Sequence, residues 1–337
     1  MKRLLFFITV LLLITACNND PLKVDVEHIE LPQFEIQRLE NELFALNAAN
    51  LKSSTQQLSQ KYGPVFNHYV MSFIHRPGIN DTGYAGAILR YVSDRDVREC
   101  YQMVAGKYTA DRMGDITTGL EEMIKRFKFH FPDKKAPKRL LTTTTGWNYA
   151  FAYMDTTFLL GLDMYLGDTC KFYQMLQYPL YQSRKMNEHY ILPDIARGWL
   201  LTEFDNANAE NNLLSYTIFY GKLFYAIEAL LPEANDSVII GYTAPQMKYL
   251  ERYEKELWGY FSAKNRLYET NLNTVRELTS EGPFTAAISR ECPPRIAMWV
   301  GWQIVRSYMK RHPEVKLQDL MKDKEAAKIV SQSKYRP

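Results

Sequence analysis

Residues 4–14 read LLFFITVLLLI, an apolar run broken only by Thr9 and preceded by the basic pair Lys2-Arg3. Eleven residues of helix cannot cross a bilayer, which needs about 20. A short apolar core behind a basic start is a secretory signal rather than an anchor helix. Whatever folds therefore lies downstream. The 337-residue chain as a whole has 46% hydrophobic and 13% aromatic residues, with only 16 Gly and 15 Pro, which excludes collagen-like and disordered classes. A mean hydropathy of −0.32 excludes a polytopic membrane protein. A net charge of +3 on this length gives no electrostatic reason to expect nucleic acid.

The apolar run ends in Ile14-Thr15-Ala16-Cys17, followed by Asn18-Asn19-Asp20. Small residues before a cysteine resemble the lipobox of bacterial lipoproteins. The resemblance implies cleavage before Cys17 and acylation of that residue. Several acyl chains would hold the protein firmly to a lipid bilayer, where one chain binds only marginally. The expected organisation is a signal peptide at 1–16, a lipidated polar tether at 17–32 and one domain at 33–337. Losing Lys2 and Arg3 lowers the net charge from +3 to +1. Cys100, Cys170 and Cys292 remain, an odd number with no CxxC pair. They read as buried, inert thiols, with at most one bridge among them.

The domain reads as mainly α, an α+β arrangement of helices with one small sheet near residues 140–162. Ile36, Leu39, Leu43 and Leu46 recur at helical spacing after Pro32. A second helix is expected over Gln56 to Ile74, broken by Arg76-Pro77-Gly78. Two or three more fit between Gly83 and His130. The Thr-rich stretch from Leu140 and the alternating Tyr149-Ala150-Phe151-Ala152-Tyr153 predict two or three short strands ending at Leu162. Helices then resume from about Asp168. Thr243-Ala244-Pro245-Gln246 predicts a capping box. Ile296 to Met309 is apolar nearly all round and predicts a buried helix, with Gly301 admitting a close neighbour.

Chemistry-bearing motifs are sparse. None of the six histidines has HExxH spacing or a neighbouring Cys pair, and no metal or cofactor is expected. There is no P-loop, GxGxxG or GxSxG. The carboxylates to weigh are Asp163 after the strands, Asp194 at an expected helix start, and Glu228 inside an apolar stretch. Cap, turn and paired core acid are the competing structural roles. Glu228 in particular needs a raised pKa or a cationic partner. Arg295, Arg306 and Glu291 flank the buried C-terminal helix and suit ion pairs. The 23 tyrosines suit a partner surface or a wet helical core equally well.

Several segments together resemble a known family. They are Gly161-Leu162-Asp163-Met164-Tyr165-Leu166-Gly167, Gly221-Lys222, Gly282-Pro283-Phe284-Thr285, Pro294-Arg295-Ile296 with Trp299-Val300-Gly301-Trp302, and Ser333-Lys334-Tyr335-Arg336-Pro337. In this order they resemble gliding-motility lipoprotein B (GldB) of Bacteroidetes. The resemblance implies an envelope lipoprotein linked to gliding motility and type IX secretion. The lone acid after Cys17 implies a periplasm-facing outer-membrane anchor. The family also looks distantly like a degenerate zincin metallopeptidase fold. That mapping puts the first ligand helix at Asp194 onward and the second around Lys222, with no histidine in the first. Two functions follow from this reading. One is a non-enzymatic component binding envelope proteins through a residual cleft near Asp163, Asp194, Lys222 and Glu228. The alternative is an envelope hydrolase of peptide or glycan using Asp163, Asp194 or Glu228.

Overall fold

A computed structural model of the protein describes residues 21–205 and 211–337. The signal segment and Cys17 lie outside the described residues. The fold is mainly helical with one four-stranded sheet. Its strands are β1 (Glu35–Arg38), β2 (Arg139–Thr143), β3 (Phe151–Met154) and β4 (Thr157–Gly161), in the order β1-β2-β4-β3. The β1–β2 and β2–β4 pairs are parallel, and β3 pairs antiparallel with β4 at the edge.

Three strands arise where the Thr-rich segment predicts them; β1 does not. Ile36 sits in β1 opposite Leu140, and helix α1 covers only Leu39–Phe44. Pairing along β2 overrides the local helical spacing of so short a segment. The helix expected over 56–74 is likewise divided. Helix α2 (Leu51–Tyr62) stops at Gly63, whose φ of 57° suits glycine. Pro64 then opens α3 (Pro64–His68), which passes into a π-helical turn at Tyr69–Phe73. Proline lacks the N–H that would continue the ladder, so it starts a helix where it cannot sit inside one. Helices α4 (Tyr84–Ser93), α5 (Arg95–Lys107) and α6 (Ala110–His130) fill the next predicted stretch.

After the sheet come the short α7 (Lys171–Met175) and α8 (Leu180–Ser183), then α9 (Ile191–Glu203) and α10 (Leu213–Leu230). The C-terminal part holds α11 (Asp236–Ile240), α12 (Ala244–Ser262), α13 (Leu272–Thr279), α14 (Ile296–Arg311), α15 (Leu317–Lys322) and α16 (Ala326–Ser333). The capping box forms: Thr243 N–H donates to Gln246 Oε1 at 2.9 Å and Gln246 N–H reaches Thr243 Oγ1 at 3.5 Å. Thr243→Ala should cost about 1 kcal/mol. An unchanged urea midpoint would contradict that.

Side chains alternate across the strands, so the sheet feeds two cores. Leu140, Phe158 and Leu160 enter the larger one with α6, α9, α10 and α14, while Leu141 and Leu159 enter a smaller one with α1 to α4. The result is a helix–sheet–helix sandwich. Helix α10 is buried over most of its surface and lies along α14. Gly221 and Gly301 meet at that crossing.

Cys100, Cys170 and Cys292 are buried and free. Burial pushes all three thiols up, Cys292 to about 12, so they carry little thiolate. The segment before β1 is strapped to the body. Leu22 and Val26 are buried, Arg126 donates to the Val24 carbonyl at 3.1 Å, and Lys23 pairs with Glu233 at 2.8 Å.

Candidate functional site

A cleft of about 420 Å³ opens between the sheet end, α9 and α10. Each wall follows from helical or turn spacing. Asp194, Arg197 and Leu201 lie three and four apart and so share one face of α9. Tyr220 and Phe224 share a face of α10 in the same way. Met164 and Tyr165 come from the turn after β4, and Ala150 from just before β3. Tyr178, Lys185, Glu281 and Arg295 close the far side.

The charges are paired across elements. Asp194 is ion-paired with Arg197 and accepts a hydrogen bond from the Tyr165 hydroxyl at 3.0 Å. It lies in the first turn of α9 but does not cap the backbone. Glu281 contacts Lys185, and its Oε2 lies 2.5 Å from Arg295 Nε as an ion contact rather than an aligned hydrogen bond. Arg295 also donates to the Ile240 carbonyl at 2.7 Å and lies over the Tyr242 ring. Burial pushes the Glu281 carboxyl up, but Arg295 and Lys185 outweigh it and hold it below its ordinary value. Burial, then Arg295, draws the Lys185 ammonium down. Three cations face two carboxylates, so the cleft is slightly cationic.

Of the four residues singled out in the sequence, Asp194 alone lines this cleft. Asp163 is fully buried behind it. Its Oδ2 accepts the Thr145 and Trp147 N–H groups at 2.9 and 2.8 Å, and the Thr145 hydroxyl lies 3.2 Å away. Burial outweighs these bonds and lifts its pKa from 3.8 to about 6. Lys222 points toward the C-terminal segment and donates to the Asp323 carbonyl at 2.7 Å. Burial lowers its pKa from 10.5 to about 8. Glu228 borders a different cavity, where Arg306 donates at 2.9 Å and Trp302 Nε1 at 3.0 Å. Arg306 also clasps Asp236 with two bonds of 2.6 and 2.7 Å. Arg295 and Arg306 thus take the ion pairs expected of them, whereas Glu291 has none among the described residues.

Lys185 and Glu281 were not marked by any local pattern. They reach the cleft from segments 96 residues apart, and only the fold brings them together. The carboxylates available for acid–base work are therefore dispersed: Asp194 in the cleft, Asp163 behind it, Glu228 beside another cavity. Among the described residues no group of three or more His, Cys, Asp or Glu side chains could hold a metal ion. In the zincin-like mapping, α9 carries Ile195, Ala196, Arg197, Gly198 and Trp199 where ligands would stand. None of these side chains is a zinc ligand.

One wall residue of the cleft and a segment adjoining the wall in sequence expose apolar side chains. Leu201 on its wall is 39% exposed. Met175, Leu176 and Leu180 are 61%, 50% and 72% exposed and flank the wall residue Tyr178 in sequence. Clustered exposed leucines mark interaction surfaces more often than isolated ones do.

A family model described as gliding motility protein GldB matches residues 19–337. No curated protein and no solved structure matches the chain significantly. The family match takes in the sheet, the cleft and the C-terminal helices together. The chain belongs to the gliding motility protein GldB family.

Proposed function

We propose that the protein is a non-enzymatic lipoprotein of the gliding-motility and type IX secretion apparatus that binds another envelope protein at the α9–α10 cleft. Exposed apolar side chains carry the reading: Leu201 on the cleft wall, and Leu176 and Leu180 on either side of the wall residue Tyr178 in the chain. Exposed apolar side chains close to tyrosine and arginine match the residue types enriched at protein interfaces. The hydrolase alternative lacks this support, because Asp163, Asp194 and Glu228 do not share a cavity and each is engaged by donors. No helix among the described residues is long and apolar enough to cross a membrane. Attachment is assigned to acylation of Cys17, with the body facing the periplasm from the outer membrane.

A photo-crosslinking residue at position 180 should trap one envelope protein in cells, and the same probe at exposed Gln60 should not. Equal adducts at both positions would sink the docking reading. Incorporation of an alkyne fatty acid, abolished by Cys17→Ser, checks the anchor separately.

A further inference from the structure

A second cavity, of about 930 Å³, lies at the C-terminal ends of α6, α10 and α14. Its volume is in the range of small-molecule sites, about 300–1,000 Å³. Its wall is largely apolar, with Leu22, Val24, Phe129, Met309, Val315 and Leu317. The ionisable groups inside are already neutralised. Glu228 is matched by Arg306, which Asp236 matches in turn. Burial, then Arg126, lowers His130 to about 4, so it is uncharged at neutral pH. Lys310 and Lys316 on the lining are exposed and have no acidic partner among the described residues. The site is thus a greasy hollow with a basic rim.

Its position matters as much as its lining. Pro21 borders the cavity, and the next residues are strapped down through buried Leu22 and Val26. Three residues lie between Cys17 and Pro21, so the four chain steps span at most about 14 Å. On the anchoring reading above, on which this step rests, the cavity mouth is held beside the bilayer. Lipid acyl chains and phosphates are the partners within reach there. Cationic side chains near such a surface attract anionic lipids.

We propose that this cavity binds one anionic phospholipid, its acyl chain in the apolar interior and its phosphate at Lys310 and Lys316. The lysines favour a charged lipid of the membrane over the uncharged acyl groups that Cys17 itself would carry.

Native mass spectrometry of the purified mature lipoprotein, in neutral detergent, tests this with phosphatidylglycerol and with phosphatidylcholine of the same chain length. One retained phosphatidylglycerol is expected, favoured about tenfold or more over phosphatidylcholine. Lys310→Glu with Lys316→Glu, both at exposed positions, should erase that preference. Val315→Trp should fill the hollow and remove both lipids, while Leu201→Trp in the other cleft should leave binding unchanged. Absence of a preferred anionic adduct, survival of the preference in the double lysine variant, or equal retention of free palmitate would each overturn the assignment. The same spectra report whether Cys17 carries an acyl mass, so a failed anchor and an empty cavity are told apart.

Discussion

Gly301→Ala is expected to lower stability by about 3 kcal/mol or more, a drop in Tm on the order of 4–5 °C or more for a domain of this length. A Cβ at Gly301 would lie 1.9 Å from the Thr217 carbonyl oxygen and 2.7 Å from its carbon. Both obstacles are backbone of the buried helix α10, so no side chain can swing aside. The two helices would have to part, and overpacked cores typically lose 1–3 kcal/mol even when side chains can yield. Gly221→Ala meets the same wall, its Cβ 2.3 Å from the Gly301 carbonyl, and should behave alike. The two changes together should cost less than their sum, because either one already separates the helices. Gly106 and Gly114 are the controls. Each is an exposed helical glycine with nothing within 4 Å of an added Cβ, so alanine there should be neutral or stabilising by about 0.5–1 kcal/mol. Equal denaturation midpoints for Gly301→Ala and Gly114→Ala would refute the account.

That crossing also fixes both cavities. Helix α10 carries Tyr220 and Phe224 into the cleft and Glu228 to the edge of the lipid-sized hollow; α14 carries Met298 and Arg306 to the same two places. Separating the helices should therefore loosen partner binding and lipid retention together. A core packing residue would then produce a functional phenotype without touching either ligand.

How much of this was legible depended on range. The helix Ile296–Arg311, the close approach at Gly301 and the capping box at Thr243 are written in neighbouring residues, and all three formed. The strands after Leu140 were legible because Thr-rich and alternating aromatic residues suit a pleated surface. The strand Glu35–Arg38 was not, because its partner lies about a hundred residues away and its own spacing looks helical. Gly63-Pro64 carried the break in the second helix openly, yet the apolar spacing on both sides masked it. The cleft lay furthest from reach. Asp194 was visible as a carboxylate at an expected helix start, but its setting beside Lys185, Glu281 and Arg295 depends on chain crossings that local pattern does not encode.

Asp163 should reveal its role through pH. Its folded pKa stands near 6 against an ordinary 3.8, raised because burial outweighs the bonds it accepts. Between those values the native state holds the proton more tightly than the unfolded chain does. The contribution is therefore present in full below about pH 4 and is lost as pH rises through about 6, by up to about 3 kcal/mol. Asp163→Ala removes this slope and strands the Thr145 and Trp147 amides it accepts from, at a cost of about 3 kcal/mol in acid. Stability of the natural chain minus that of the variant should shrink as pH rises from 4 to 7. A difference that stays constant or grows across that window would show that Asp163 is not what titrates. The consequence reaches the cleft. Trp147 holds a left-handed φ of 60°, a strain of about 1–3 kcal/mol that Asp163 helps to fix. The Tyr178 hydroxyl donates to the Trp147 carbonyl, so the cleft wall hangs on that loop. Asp163→Ala should therefore reduce crosslinking from position 180 at any pH where the protein remains folded.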